Sequence, residues 1–186
     1  MDAANPFTQF YAQLLHQGNM LADHVRTSTY QDAFAQNAEQ DFRDKVILDV
    51  GTGTGILAFF ALQCGARKVY AVEASDSSYT ARTLADANGF GERMIIIHGK
   101  VEEVEVPEKV DVIISEPIGF LLVHERMLES YIVARDRFLK PGGLMYPSTG
   151  SIVISPYTDD TLYQEQLTKV CKSIIYKHLF YEFYIY

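Results

Sequence analysis

From Lys45 onward the chain alternates short apolar runs with amphipathic stretches, and this alternation constrains the fold more than any other feature. The apolar runs are rich in Val and Ile and are predicted to be strands: KVILDV (45–50), KVYAVE (68–73), RMIIIHG (93–99) and VDVIIS (110–115). Unbroken runs of this kind are typical of strands buried on both faces of a parallel sheet. The sequence therefore predicts an α/β fold with a doubly wound, mostly parallel sheet, whose ligands lie beyond the carboxyl ends of the strands.

Helices are predicted between these strands and ahead of them. The predicted helices cover GILAFFALQCG (55–65), DSSYTARTLADANG (76–89) and HERMLESYIVARDRFLKPGG (124–143), the last stopped by its proline and glycine pair. Two further strands are predicted, LMYPS (144–148) and SIVIS (151–155). Residues 1–44 have helical spacing, which predicts one or two short helices lying over the rest of the fold.

Composition and charge narrow the class of protein. A hydrophobic content of 48% with 22% charged residues is typical of a globular core, and a net charge of −8 argues against binding to nucleic acid or anionic membrane. Cys64 and Cys171 form neither a disulfide framework nor a zinc spacing, so we expect a reducing compartment and no metal site. The start MDAANP lacks signal-peptide features, and no charge-free apolar run is long enough to span a bilayer.

The first predicted strand ends in a glycine-rich loop, LDVGTGTGIL. Gly51, Gly53 and Gly55 allow a tight turn and a close approach of a ligand to the backbone, and the helix that follows offers free N–H groups. Glu73 closes the second strand about twenty residues further on, where a carboxylate can accept both hydroxyls of a ribose. The alternative is a structural turn, with Glu73 capping the next loop.

The spacing of this loop distinguishes between cofactors. The pyrophosphate fingerprint is G-x-G-x-x-G, whereas this chain has G-x-G-x-G with Asp49 two residues ahead of the first glycine. LDVGTGTGIL resembles motif I of the class I S-adenosylmethionine-dependent methyltransferases. The resemblance implies S-adenosyl-L-methionine as the cofactor, with the loop around its amino-acid part. It also implies that Val101 and Glu102, in HGKVEEV, lie at the adenine, with Ser130 nearby.

Two acids follow the fourth predicted strand. Glu116 comes directly after it and Glu125 nine residues later. Isolated buried charge is costly, so a carboxylate at this edge favours a cationic partner. A guanidinium is a planar cation whose donors match carboxylates in bidentate geometry, so two carboxylates could hold it and localise its charge. Glu125 could instead lie in the first turn of the next helix, and we interpret Glu129 as a solvated helix residue.

This arrangement resembles the double-E loop of the protein arginine methyltransferases, which implies catalytic roles for Glu116 and Glu125. NMLADHVRTSTYQDAF (19–34) resembles that family's cofactor-covering helix. The resemblance implies that Arg26 pairs with the cofactor carboxylate, where the alternative is a surface salt bridge. It also implies that Met20 and Met127 line the substrate pocket.

The segments VRTSTYQ, VEAS, GKVEEV, ERMLESY and MYPSTG look closest to the coactivator-associated (CARM-type) branch. This branch implies a type I enzyme, which forms asymmetric dimethylarginine in histone, RNA-binding or coactivator-type proteins and regulates transcription. It also implies a nuclear and cytoplasmic location, a homodimer, and no direct contact with nucleic acid or membrane.

The chain departs from the family at three places. FTQFY (7–11) keeps Tyr11, which the resemblance places at the cofactor, but has Phe7 and Thr8 ahead of it. His16 stands where the branch has a cofactor-contacting glutamine, and it could equally be a surface residue. The family continues into a β-barrel with a dimerisation arm, whereas this chain has no tryptophan and ends in CKSIIYKHLFYEFYIY. We interpret this tail as a truncated or mis-spliced end, or an incomplete gene model, and its alternative is a partner-binding strand.

The predicted organisation therefore has four parts. These are a helical cover (1–44), a Rossmann-like cofactor-binding domain (45–155), the start of the family's carboxyl-terminal region (156–170) and an aromatic tail (171–186). Three functions remain open: an arginine methyltransferase, a weakly active or inactive cofactor-binding or regulatory protein, and a small-molecule methyltransferase. The double-E loop disfavours the third, because a neutral acceptor has no use for paired carboxylates. The missing barrel bears on the choice between the first two.

Overall fold

The computed structural model describes residues 6–172, and contacts divide the chain into two compact units, one up to Gly150 and one from Ser151. The first unit contains a five-stranded sheet. Its strands are β1 (Val46–Val50), β2 (Lys68–Glu73), β3 (Met94–His98), β4 (Val110–Ser115) and β5 (Leu139–Tyr146). All neighbours are parallel, in the order β3-β2-β1-β4-β5. The predicted parallel α/β sheet is confirmed, and the strand order reverses between β1 and β4, where such sheets bind ligands.

Helices precede, connect and follow the strands. They are α1 (Pro6–Tyr11), α2 (Leu14–Ala22), α3 (His24–Gln36), α4 (Ile56–Gln63), α5 (Ser77–Ala87), α6 (Met127–Phe138) and α7 (Asp160–Lys172), with a π-helix at Ala38–Phe42 and a 3₁₀ turn at His124–Arg126. The helical prediction for the amino-terminal segment is confirmed, although the segment contains three α-helices rather than one or two.

Alternate side chains of the strands enter two separate cores. Ile47 and Val112 pack with side chains of α3, α4 and α5 on one face of the sheet. Leu48 and Ile113 pack with side chains of α6 on the other face. Because both faces are covered, the strands are continuous apolar runs, and polar side chains are left for the loops at the strand ends.

The predicted helix 124–143 is wrong at both ends. It begins late because Glu125 and Arg126 have left-handed backbone conformations, with φ of +73° and +61°. It ends early because α6 stops at Phe138, and the segment with Pro141 belongs to β5. A proline is tolerated there because β5 is an edge strand. Gly143, two residues after Pro141, lies where a side chain would clash, because a Cβ there would be 2.9 Å from the carbonyl oxygen of Asp111.

The predicted strand SIVIS is also wrong. Residues 151–155 are irregular, and Ile152, Val153 and Ile154 are exposed. Their β-branched side chains favour a strand, but in the part of the chain that the structure describes this segment pairs with no other strand. The second unit contains α7, which includes the first two residues of the predicted tail, and residues 173–186 lie outside the described residues. None of the described helices has the length and apolarity that a membrane crossing requires.

Candidate functional site

The glycine loop after β1 forms the tight turn that the sequence predicts. Gly51, Gly53 and Gly55 have φ of +70°, +57° and +97°. A Cβ at Gly51 would lie 2.6 Å from the terminal methyl of Met127, which is the flexible end of a side chain, so it is the left-handed backbone that favours glycine here. Met127 thus lies directly over the loop.

Glu73 at the end of β2 is bound to this loop. One carboxylate oxygen accepts the N–H of Gly53 and the other accepts the N–H of Ser75, each at 2.8 Å. These two bonds fit the structural alternative, in which Glu73 caps the loop after β2, and its role at the ribose stays a prediction. A carboxylate oxygen has more than one acceptor position, so these bonds leave Glu73 able to accept ligand hydroxyls.

Asp49 in β1 is a buried acid with an incomplete set of partners. It is 1% exposed, and one oxygen accepts the hydroxyl of Thr52 at 2.6 Å. The other oxygen, Oδ1, has no hydrogen-bond partner among the described residues. Burial raises the pKa of Asp49 to about 7, and the negative charge of Glu73 also raises it. Hydrogen bonding from Thr52 and Ala58 lowers this pKa, but by less. An unpartnered buried oxygen beside the glycine loop is consistent with a polar ligand binding there.

Tyr11 at the end of α1 connects the amino-terminal helices to the strand-end loops. Its hydroxyl donates to both carboxylate oxygens of Glu125, at 3.1 Å each. Its carbonyl oxygen accepts Nε2 of Gln17 at 2.8 Å and the hydroxyl of Ser77 at 3.0 Å. Burial, followed by the negative charge of Glu125, raises the pKa of Tyr11 to about 12. The hydroxyl therefore remains a donor at neutral pH.

Gln17 is a site residue that the sequence pattern did not indicate. It is 5% exposed, and a Cβ on Gly53 would lie 2.7 Å from its side-chain oxygen, so it contacts the glycine loop. Its position three residues ahead of Met20, on one face of α2, is a signal that could have indicated it. The predicted residue His16 is half-buried and stacks on Phe10, with ring centroids 3.6 Å apart. Its role at the cofactor stays a prediction.

Glu116 already binds a guanidinium within the chain. Its Oε2 accepts Nε of Arg26 at 3.1 Å and Nη2 at 2.8 Å, and its Oε1 accepts the N–H of Ile118. The side chains of Arg26 and Glu116 are 25% and 21% exposed, so the pair is partly shielded. Residues predicted separately for the cofactor and the substrate thus meet at the end of β4.

The loop that carries Glu125 has an unusual backbone. Leu121, Leu122, Glu125 and Arg126 are four of the five non-glycine residues with positive φ in the described chain. Each such residue costs on the order of 1–3 kcal/mol, and such conformations cluster at functional sites. Glu129 lies in the first turn of α6 and forms an exposed pair with Arg126 at 2.7 Å. Its interpretation as a solvated helix residue is confirmed.

The predicted adenine residues lie at the ends of β3 and α6. The hydroxyl of Ser130 donates to Glu102 at 2.5 Å, so the structure brings these two together. Val101 is 4% exposed and belongs to the core that packs under α6. Met20 is half-buried in α2, whereas Met127 lies over Gly51. The roles assigned to these residues stay predictions.

Ser115 fixes the end of β4 to the end of β1. Its buried hydroxyl donates to the carbonyl of Val50 at 2.7 Å. The carbonyl of Ser115 accepts the hydroxyl of Tyr30 at 3.1 Å, and burial raises the pKa of that tyrosine. The strand ends that lead into the glycine loop and the acidic loop are therefore joined to each other and to α3. Within residues 6–172 no group of three or more ligating side chains could hold a metal ion.

The sequence matches known proteins over most of its length. Residues 47–143 match the profile of the methyltransferase domain family. The chain is 55% identical over 168 residues to the probable histone-arginine methyltransferase CARM1 of Oryza sativa, a match over 90% of this chain and 32% of the relative. It is 54% identical over 167 residues to the histone-arginine methyltransferase CARMER of Anopheles gambiae, which covers 26% of that relative. The chain thus spans about a third or less of these relatives.

Solved structures show the same similarity. The protein arginine methyltransferase 10 of Arabidopsis thaliana superimposes with a TM-score of 0.73 at 51% identity, over 75% of this chain and 40% of that one. The PRMT1 enzyme-prozyme heterotetrameric complex of Trypanosoma brucei, solved with AdoHcy, gives 0.75 at 42% identity, over 84% of this chain and 49% of that one.

Proposed function

Because the chain belongs to the methyltransferase domain family, in its protein arginine methyltransferase branch, we propose that it transfers methyl groups from S-adenosyl-L-methionine to arginine. The observation that carries this proposal is the pair Glu116 and Glu125 beyond the end of β4. Glu116 accepts two donors of one guanidinium, while Glu125 is held by a phenol hydroxyl. An anionic pair of this kind suits a cationic, forked donor better than a neutral acceptor.

The residues present fit the cofactor. The unpartnered buried oxygen of Asp49 lies beside the glycine loop, where a polar ligand would satisfy it. Glu73 would hold the ribose hydroxyls, Glu102 the adenine, and Arg26 the carboxylate. When bound, S-adenosyl-L-methionine supplies an electrophilic methyl group on its sulfonium.

The chain's own groups prepare the acceptor. A guanidinium has a pKa above 12, so it enters the site as a cation and needs its lost hydration replaced. Glu116 and Glu125 supply two carboxylates, which localise the positive charge and leave one nitrogen better able to attack. Tyr11 contacts both oxygens of Glu125 and fixes its orientation. Positioning of this kind can lower a barrier by several kcal/mol.

The finer assignments are part of the same proposal. Met20 and Met127 would line a pocket that admits a methylated guanidinium, which gives asymmetric dimethylarginine. Histone, RNA-binding or coactivator-type proteins are the proposed substrates, supported by the names of the relatives. We propose a nuclear and cytoplasmic location, with no direct contact with nucleic acid or membrane.

A second candidate function is cofactor binding with little or no turnover, in a regulatory role. One observation favours it, namely that Arg26 of the same chain binds Glu116, the acid proposed to hold the substrate. Under this alternative the cofactor binds but the arginine peptide is not methylated.

Titration with S-adenosylhomocysteine, followed by a methyl-transfer assay, tests the proposal. We expect saturable binding by calorimetry, which Glu73→Gln weakens roughly 10- to 100-fold because charge-assisted hydrogen bonds are lost. Glu103→Gln, at an exposed acid paired with Lys100, should leave binding unchanged. Labelled methyl transfer to an arginine peptide distinguishes the enzyme from the regulatory protein. Absence of both heat and a melting shift in the wild-type chain would contradict both.

A further inference from the structure

A continuous series of hydrogen bonds joins the acid at the cofactor loop to the acid of the double-E loop. Glu73 accepts the N–H of Ser75, and the hydroxyl of Ser75 accepts the N–H of Ser77 at 3.2 Å. The hydroxyl of Ser77 donates to the carbonyl of Tyr11 at 3.0 Å. Tyr11 in turn donates its hydroxyl to Glu125. Ser77 therefore connects the start of α5 to the end of α1.

Ser77 is well placed to act as a latch. It is the first residue of α5 and is 2% exposed, so its hydroxyl cannot exchange Tyr11 for bulk water without an opening of the structure. A buried hydrogen bond that loses one partner leaves the other unsatisfied. The adjacent Ser78 is equally buried, yet its hydroxyl has no partner among the described residues. The two serines form a matched pair that differs in this one contact.

The helix that Ser77 holds depends on such contacts. α1 has six residues, fewer than an isolated helix needs for stability in water. Its last residue, Tyr11, is fixed through its carbonyl by Ser77 and Gln17, and through its hydroxyl by Glu125. Loss of the Ser77 bond therefore removes one of the contacts that hold Tyr11 in place and loosens its hydroxyl on Glu125.

We propose that Ser77 is a positioning residue that latches α1 to α5 and thereby holds Tyr11 on Glu125. The role of Glu125 in this inference rests on the proposed function, whereas the latch itself belongs to the ligand-free chain. The inference couples two sites, because a ligand that orders Glu73 and Ser75 also favours the orientation of Glu125.

Hydrogen–deuterium exchange of the ligand-free chain tests the latch. Ser77→Ala should speed exchange roughly 3- to 10-fold in residues 9–22 and in residues 118–126, since one buried hydrogen bond is lost. The exchange rates in strands β1 and β4 should equal those of the wild-type chain. Ser78→Ala should change neither segment. Tyr11→Phe, which keeps the carbonyl contact, should speed exchange in residues 118–126 and spare residues 14–22.

Two results would overturn the latch. One is equal exchange in Ser77→Ala and Ser78→Ala, and the other is faster exchange spread evenly over the sheet, which would indicate a general loss of stability. Because the measurement needs no ligand, it is independent of the titration with S-adenosylhomocysteine. A chain that binds no cofactor but shows the expected exchange would contradict the proposed function and keep the latch.

Discussion

Glu116 and Arg26 form an ion pair in which each charged group could later bind a ligand group of opposite charge. Their side chains are a quarter exposed or less, with the closest oxygen and nitrogen 2.8 Å apart. Partly exposed pairs contribute modestly to stability, whereas leaving one partner alone and shielded is unfavourable. In the proposed function, Arg26 would bind a ligand carboxylate and Glu116 would bind a substrate guanidinium. Two similar contacts would therefore replace this one.

Asp49 allows a prediction about pH. Its pKa is about 7 in the fold and 3.8 without perturbation, so the folded state binds the proton more tightly. Unfolding releases that proton between these values, so this group's contribution to stability falls as pH rises from about 4 to 7 and is constant above. The side chain in Asp49→Asn does not titrate. As the pH rises over this range, the unfolding free energy of Asp49→Asn should therefore increase relative to that of the wild type by roughly 2–4 kcal/mol.

Urea unfolding at pH 4.5 to 8 measures this difference, and Asp32→Asn on the exposed side of α3 is the control. A constant difference between Asp49→Asn and the wild type at every pH would show that Asp49 is ionised throughout.

At the residue level, the sequence indicated the acids but not the groups that position them. Glu73 and Glu116 were predictable because each follows a buried strand, where a charged side chain needs a reason to be present. Gln17 and Ser77 were not, because their contacts depend on how α1 and α2 pack on the sheet. That packing joins residues more than sixty positions apart, such as Tyr11 and Ser77.

The loop between β4 and α6 is the element on which the double-E arrangement depends. It is closed by a hydrogen bond from the N–H of Leu122 to the carbonyl of Gly119, and by one from His124 to Phe120. A Cβ at Gly119 would lie 2.1 Å from the carbonyl oxygen of His124, which is backbone and cannot rotate away. The loop geometry therefore requires glycine at this position.

Gly119→Ala should open this loop and displace Glu125. We expect a loss of about 1–3 kcal/mol in unfolding free energy, from forced overlap, and faster exchange in residues 118–126. Gly18→Ala is the control, since a Cβ there meets nothing within 4 Å and should stabilise α2 by about 0.5–1 kcal/mol. Unchanged exchange in the loop of Gly119→Ala would refute this account of its geometry.

The elements themselves were largely predictable, and the errors at the two ends of α6 have physical reasons. Strands such as β1 and β4 were predicted because their apolar runs match the pattern of a doubly covered sheet. The start of α6 was missed because left-handed residues such as Glu125 carry no sequence signal. β5 was misplaced because Pro141 and its glycines were taken as a helix stop, whereas an edge strand accepts them. Tertiary position overrode local preference in both cases.

At the scale of the molecule, the parallel sheet gathers the site by placing the carboxyl ends of its strands at one edge. The end of β2 contributes Glu73, and the loops after β1 and β4 contribute Gly51 and Glu116, although these residues are far apart in sequence. The amino-terminal helices then close this edge through Tyr11 and Arg26. The described part of the first unit thus contains both groups of residues on which the proposed methyl transfer to arginine rests.

Peptide binding to the cofactor-loaded chain tests most directly whether this edge recognises a guanidinium. With S-adenosylhomocysteine bound, an arginine peptide should bind at least roughly tenfold more tightly than the same peptide with lysine, because an ammonium cannot form the bidentate contacts. Glu125→Gln should weaken arginine binding by roughly 10- to 100-fold, while the exposed Glu129→Gln should leave it unchanged. Equal affinity for the two peptides, or equal effects of the two substitutions, would contradict the account.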